Sequence, residues 1–406
     1  MENFTYYNRT KIIYGRGTEK EVGAEARKLA DKVLLHFGGG SIKRSGLYDI
    51  VVASLREHGV EIVELGGVVP NPRLDLVREG IELCRRENIT LILAVGGGSV
   101  VDSAKAIAMG VHEENGDVWE NFISRKPIQK AVDVATILTL PATGSEASPN
   151  TVITDDATQL KLGYGSELLR PVFSILNPEL FFTLPRNQIA NGVCDMMCHI
   201  FERYFTLTPK VELTDALCEA TLRTIIDNAY KLADNPQDYD AWAEIGFAGT
   251  LAHNNLLGLG RVQDWASHGM EHEISALYDV AHGAGLATVV PSWMRYVYKT
   301  DVARFARFAK NVFGISETAP DGTSRDDEAL ALAGIDALES FWRKLGLPTT
   351  MSELGIPDDS RFEEMARKAV LARSSDGKEI PQGNFRKLYS QDILAIYKMA
   401  EGSGRE

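Results

Sequence analysis

An α/β domain built on a mostly parallel sheet, followed by an all-helical domain, is the fold class this sequence predicts. Three observations carry it. Over roughly the first 185 residues, short apolar runs alternate with amphipathic helical stretches; the alternation stops at Leu184-Pro185; beyond it, apolar residues recur at helical period without a convincing strand. The expected boundary is therefore at 185–188, giving domains 1–185 and 186–406.

In order, the apolar runs 32–37, 61–65, 90–95, 135–140 and 173–176 read as strands, and 47–58, 74–87 and 101–110 as helices between them. In the second domain, 212–235, 239–257 and 301–313 read as helices. The acidic, glycine-containing stretch 316–327 reads as a surface loop, and the tail 401–406 as frayed. There is no internal repeat or low-complexity tract.

Composition narrows the function. The chain has 406 residues, 44% of them hydrophobic and 24% charged, enough for two or three domains with ample core. A net charge of −13 without a basic stripe argues against nucleic acid and anionic membranes as partners. The first residues are polar, and no apolar run approaches the ~20 residues needed to span a bilayer. Cys84, Cys194, Cys198 and Cys218 fit a reducing cytoplasm; Cys194 and Cys198 lie in an apolar helical pattern with no second pair to complete a zinc cage, so they read as free core thiols.

Four segments carry candidate chemistry. Gly96, Gly97 and Gly98 end a strand and precede a helix, where a pyrophosphate could approach the backbone and meet unpaired helix N–H groups; the spacing is not G-x-G-x-x-G. Gly38, Gly39, Gly40 and Ser41 repeat the pattern after the first expected strand. No acid stands there to accept from a ribose diol, and Lys43 and Arg44 follow, which leans towards NADP(H) over NAD(H). A third turn, 139–146, carries Thr139 and Thr143 with Pro141 and Gly144 shaping it. The fourth is a histidine cluster: five of eight histidines fall between 199 and 282. Asp195 and His199 stand four apart on an expected helix, as do His268 and His272, and His282 follows. Asp195, His199, His268 and His282 suit a divalent first-row cation, Fe2+ or Zn2+, with a position left for a substrate oxygen.

Taken together, these motifs resemble the iron-containing (group III) alcohol dehydrogenases, most closely their NADPH-dependent aldehyde reductase and butanol dehydrogenase branch. The resemblance rests on Phe37–Ser41, Pro70-Asn71-Pro72, Gly96–Lys105, Leu140–Glu146 and the Asp195/His199/His268/His282 quartet, and spans essentially the whole chain. It implies the dehydroquinate synthase-like two-domain plan, one metal on that quartet, a homodimer, and a dinucleotide in a cleft between the domains. Gly38, Gly39, Gly40 and Ser41 would then face the adenosine, with Asn71 near its ribose. Gly97, Gly98 and Ser99 would hold the pyrophosphate, and Asp102, Thr139, Thr143 and Lys161 would line the nicotinamide half. His272 matches a histidine near the substrate assigned to proton handling, and Asp102 a position near the nicotinamide. The implied reaction is hydride transfer between NADP(H), or alternatively NAD(H), and a small aldehyde or primary alcohol. Met196, Met197, Trp265, Met270 and Trp293 make the metal region apolar, which disfavours the phosphate-binding cyclases of the same plan. A non-catalytic nucleotide-binding assembly subunit is the remaining alternative.

Overall fold

The computed structural model describes residues 1–113 and 116–402; the last four residues of the expected frayed tail lie outside them. Two compact units are present. One comprises 7–184 with 236–254, the other 1–6, 185–235 and 255–406.

The first unit is built on six parallel strands, β1 (Lys11–Tyr14), β2 (Lys32–Gly38), β3 (Glu61–Val68), β4 (Leu91–Gly96), β5 (Asp133–Leu138) and β8 (Phe173–Leu176), in the order β1-β8-β5-β4-β2-β3. An antiparallel hairpin, β6 (Asn150–Asp155) and β7 (Leu160–Gly165), stands beside this sheet as a second one. All five expected strands are present. β1 is an addition: its four residues, Lys-Ile-Ile-Tyr, are too short to show a period, and register with β8 (Lys11 against Phe173) is what makes them a strand. The hairpin is also an addition, because its threonines, lysine and glycines dilute the apolar alternation. One face of the sheet packs Val33, Leu35, Leu93, Val95, Ile137 and Ile175 against Val51 and Leu55 of the helix Leu47–Glu57, all of them fully buried. Each such side chain contributes roughly 1.5–3 kcal/mol by leaving water.

The strand order places a reversal at β2. The chain goes from β2 outward to β3, then crosses back to add β4 on β2's other side. In a doubly wound sheet the crevice beyond the carboxyl ends of two such strands is where a ligand fits. Those ends carry the two glycine turns, 38–41 and 96–99.

The second unit is helical, with no named strand among its described residues. Its helices are Arg186–Tyr204, Glu212–Asp234, Ala266–Tyr278, His282–Val297, Val302–Phe313, Asp327–Lys344, Phe362–Leu371 and Ser390–Glu401. An aromatic core centres on Phe205, whose ring stacks on Phe305 at 4.4 Å and meets Trp293 and Phe308 edge-on. Buried Asp215 is satisfied by Arg261 at 2.8 Å and Arg304 at 3.0 Å, so its charge is paired.

The expected helix 239–257 ends at His253, because Asn255 takes a left-handed φ of 77°, and Leu256–Gly258 continues as a 3-10 turn. This helix, Tyr239–His253, groups with the sheet unit although a cut at 185/186 assigns it to the second domain. Tertiary hydrogen bonds explain the grouping: Thr250 donates to Glu146 at 2.6 Å and Tyr14 to the Ala243 carbonyl at 2.6 Å.

Candidate metal centre and dinucleotide loops

Three helices bring the quartet together. Arg186–Tyr204 carries Asp195 and His199 one turn apart, Ala266–Tyr278 carries His268, and His282 opens His282–Val297. Gly283 lets the third helix approach the first: a Cβ there would lie 2.2 Å from the Asn191 carbonyl oxygen and 2.7 Å from its Cα. Asp195 Oδ1 lies 3.2 Å from His199 Nδ1, 3.8 Å from His268 Nε2 and 3.7 Å from His282 Nε2. The His199 and His268 ring centres are 4.6 Å apart, and those of His268 and His282 5.5 Å.

A cation fits this donor set. Asp195 Oδ1 and His268 Nε2 are buried without a hydrogen-bond partner, and ligand atoms of Asp195, His268 and His282 all fall within 4.8 Å of one another. Burial opposes charge on His268, but Asp195 and Glu202 outweigh it and raise its pKa to about 9. The cluster thus already attracts a positive charge, and a bound cation would take the proton's place.

Two carboxylates behind the histidines are not legible as site residues in the sequence. Glu202 accepts from His268 Nδ1 at 2.7 Å, and Glu271 from His282 Nδ1. The one available signal is helical spacing: Glu202 is seven residues after Asp195 and Glu271 three after His268, so each shares a face with a member of the quartet. Trp265, one of the apolar residues of the metal region, has φ 73°, unusual for a bulky residue, and its ring lies 5.2 Å from that of His268 and 5.9 Å from that of His199. Met196, Met197, Met270 and Trp293 are fully buried in the core.

His272 is half-buried one turn after His268, with its ring 5.8 Å from that of His282. Cys194 and Cys198 are free and buried, sulfurs 3.9 Å apart, and burial pushes both thiols up, so neither supplies a thiolate.

In the sheet unit, Gly97 is extended (φ −84°, ψ −173°) and caps a helix that starts at Gly98, three residues before the expected start. No side chain caps that helix, leaving its first N–H groups at the turn. Gly98 touches the third segment: a Cβ there would lie 2.4 Å from Thr143 Oγ1. Gly39 faces open space, Gly40 has φ 108°, and Ser41, Lys43 and Arg44 are exposed after β2. Lys43 Nζ sits 4.9 Å from the Phe37 ring centre and 4.6 Å from that of Tyr48. Asn71 is buried with φ 52°.

Asp102, on the helix Gly98–Gly110, accepts from Ser145 Oγ at 2.5 Å and Val152 N at 3.1 Å. Thr143 Oγ1 accepts from Ser145 N at 3.1 Å, and the Thr139 N–H donates to the Gly96 carbonyl at 3.0 Å. Lys161 is buried in β7. A further residue, Lys105, carries the motif's last position into the interior: its Nζ reaches the carbonyls of Ser145 (2.6 Å), Ser148 (2.8 Å) and Asn150 (2.8 Å), and burial lowers its pKa to about 7. Asp102 and Lys105 together tie the helix Gly98–Gly110 to the third segment.

Residues 9–178 match the family described as iron-containing alcohol dehydrogenase, and residues 189–401 its C-terminal part. A probable NADH-dependent butanol dehydrogenase 2 of Bacillus subtilis (strain 168) is 45% identical over 98% of this chain and 99% of its own. The NADPH-dependent aldehyde reductase YqhD of Escherichia coli (strain K12) is 36% identical over 91% of this chain and 93% of its own. The crystal structure of an NADH-dependent butanol dehydrogenase A from Thermotoga maritima superposes with a TM-score of 0.92 at 41% identity, covering 98% of this chain and 99% of that one. The chain belongs to the iron-containing alcohol dehydrogenase family, and it is an enzyme acting on the CH–OH group of an alcohol with a nicotinamide dinucleotide.

Proposed function

We propose that the chain catalyses reversible hydride transfer between NADP(H) and a small aliphatic or aromatic aldehyde or primary alcohol, with Asp195, His199, His268 and His282 holding Fe2+ or Zn2+. The observation that carries this is the convergence of buried Asp195 Oδ1 and buried His268 Nε2 with His282 Nε2. A divalent cation there supplies Lewis-acid polarisation of the carbonyl oxygen, and the dinucleotide supplies the hydride.

The chain's own residues do the rest. The N–H groups at Gly97, Gly98 and Ser99 receive a pyrophosphate at the helix start, while Gly38, Gly39, Gly40, Ser41 and Asn71 take the adenosine half. Thr139, Thr143 and Lys161 line the nicotinamide half, and Asp102 acts beside it by holding the Ser145 turn in place. His272 exchanges the proton with the alcohol oxygen, from a position beside the ligands that is not itself a ligand. Trp265, packed edge-on against two ligand histidines, offers an apolar surface to an uncharged aldehyde.

Preference for NADP(H) is supported by the missing acid after β2 and by exposed Lys43 and Arg44. A second reading, NAD(H), is favoured by two observations: Lys43 is already placed over two aromatic rings, and relatives at 41–45% identity carry NADH in their names. Steady-state kcat/KM for both cofactors across an aldehyde panel tests the proposal. At least about tenfold higher efficiency with NADPH is expected, roughly 1.4 kcal/mol; equality or the reverse selects NAD(H), and no turnover with either refutes the reaction. The buried free thiols support a reducing cytoplasm, and the family resemblance a homodimer, for which sedimentation velocity is the check.

A further inference from the structure

We propose that Glu202 and Glu271 are positioning residues that lock His268 and His282 as Nε2 donors towards Asp195, and thereby set the affinity of the cation site. The inference rests on the cation reading above and extends it to two residues outside the quartet.

The geometry is the same twice over. His268 Nδ1 is 2.7 Å from Glu202 Oε1, and His282 Nδ1 is hydrogen-bonded to Glu271 Oε2. An ionised carboxylate only accepts, so each Nδ1 must carry the hydrogen. In the neutral ring the lone pair then resides on Nε2, the atom facing Asp195 Oδ1 in both histidines, at 3.8 and 3.7 Å. Without such a partner an imidazole can switch tautomer, which presents N–H to the cation, or flip, which presents C–H.

Each carboxylate is itself fixed. Glu202 also accepts from Ser267 Oγ at 2.6 Å, His268 N at 3.1 Å and Trp265 N at 2.6 Å. It thus secures the helix start at the left-handed Trp265 as well as the ring of His268. Glu271 accepts from Ser275 Oγ, one turn along the same helix, and a Cβ on Gly285 would lie 2.8 Å from its Oε1. Glu202 and Glu271 are 1% and 0% exposed, and with Asp195 they bury three carboxylates around the histidines. Such a concentration of buried negative charge is costly unless a cation completes it.

The test is Co2+ binding to the apoprotein, measured by chelator competition at fixed pH together with the visible absorption of the bound ion. Glu271→Gln is the informative variant. Its carbonyl can still accept from His282 Nδ1 while its NH2 faces Ser275 Oγ, so shape is kept and only charge and basicity are lost. The expected result is a 10- to 100-fold weaker Co2+ affinity, on the order seen for outer partners of metal-binding histidines, with an altered absorption band and an unchanged apoprotein melting temperature. Glu202→Gln should show at least as large a loss, but an amide there faces a donor whichever way it is turned, so its melting temperature should fall too. Asp195→Asn separates the two levels of inference. If it abolishes Co2+ binding while Glu271→Gln binds within twofold of the parent, the positioning role is overturned and the cation site stands. If Asp195→Asn binds like the parent, the cation site itself is wrong and the positioning role falls with it.

Discussion

Gly39 and Gly98 stand at the two strand ends that flank the sheet's reversal, yet a methyl group has opposite surroundings at each. At Gly39 a Cβ meets nothing within 4 Å and the backbone lies outside the left-handed range. Gly39→Ala should therefore fold as well as the parent, since glycine-to-alanine changes at compatible positions are neutral or stabilising by about 0.4–1 kcal/mol. If the dinucleotide fills that open space against the backbone, the new methyl overlaps it. Overpacking of one methyl costs roughly 1–3 kcal/mol, which corresponds to about 5- to 150-fold in affinity. At Gly98 the methyl lies 2.4 Å from Thr143 Oγ1, 2.5 Å from its Cγ2 and 3.0 Å from its Cβ. Thr143 is stiff at χ1 and its hydroxyl accepts from Ser145 N, so the segment 143–145 must move. Gly98→Ala should thus lose both nucleotide affinity and roughly 1–3 kcal/mol of stability. The assay is fluorescence titration of NADPH and NADH, with thermal melting in parallel. A Gly39→Ala protein that binds both dinucleotides within twofold of the parent refutes the placement of the cofactor on this turn.

Three further outcomes are expected. His268→Ala and His282→Ala should each lose most bound metal and most turnover while keeping the parent's circular dichroism, because the remaining donors hold a first-row cation more weakly; elemental analysis giving full metal content in either variant removes that residue from the site. His272→Ala should keep its metal and lose turnover on the order of 10²-fold, with a changed pH–rate profile; metal loss would make it a ligand, and unchanged kinetics a bystander. His36, buried between the Leu65 carbonyl (2.8 Å) and Ser103 Oγ (2.9 Å), has its pKa lowered by burial from 6.5 to about 4. Between those values the unfolded chain binds the extra proton, so this group's contribution of about 3 kcal/mol is present above pH 6.5 and is lost as pH falls towards 4. The His36 ring resonances should stay in the neutral form at pH 5 by NMR, and a midpoint near 6.5 would refute this.

Much of this protein is written locally in its sequence. Alternating apolar runs and helical periods express the two classes of structure because strand and helix each expose a face at a fixed repeat. The glycine turns after β2 and β4 are visible because only small residues leave room for a ligand against the backbone. Asp195 with His199, and His268 with His272, share faces through helix geometry alone. What tertiary structure decided are the relations between distant segments. β1 exists through register with β8, the helix Tyr239–His253 joins the sheet unit through Thr250 and Glu146, and Gly283 seats His282 beside Asp195 by closing two helices to backbone contact. Glu202 and Glu271 look like any helical glutamates until the fold buries them behind two imidazoles. The physical reason is that backbone period and steric freedom are properties of neighbouring residues. Desolvation and hydrogen-bond direction belong to whatever side chains packing brings within 3 Å.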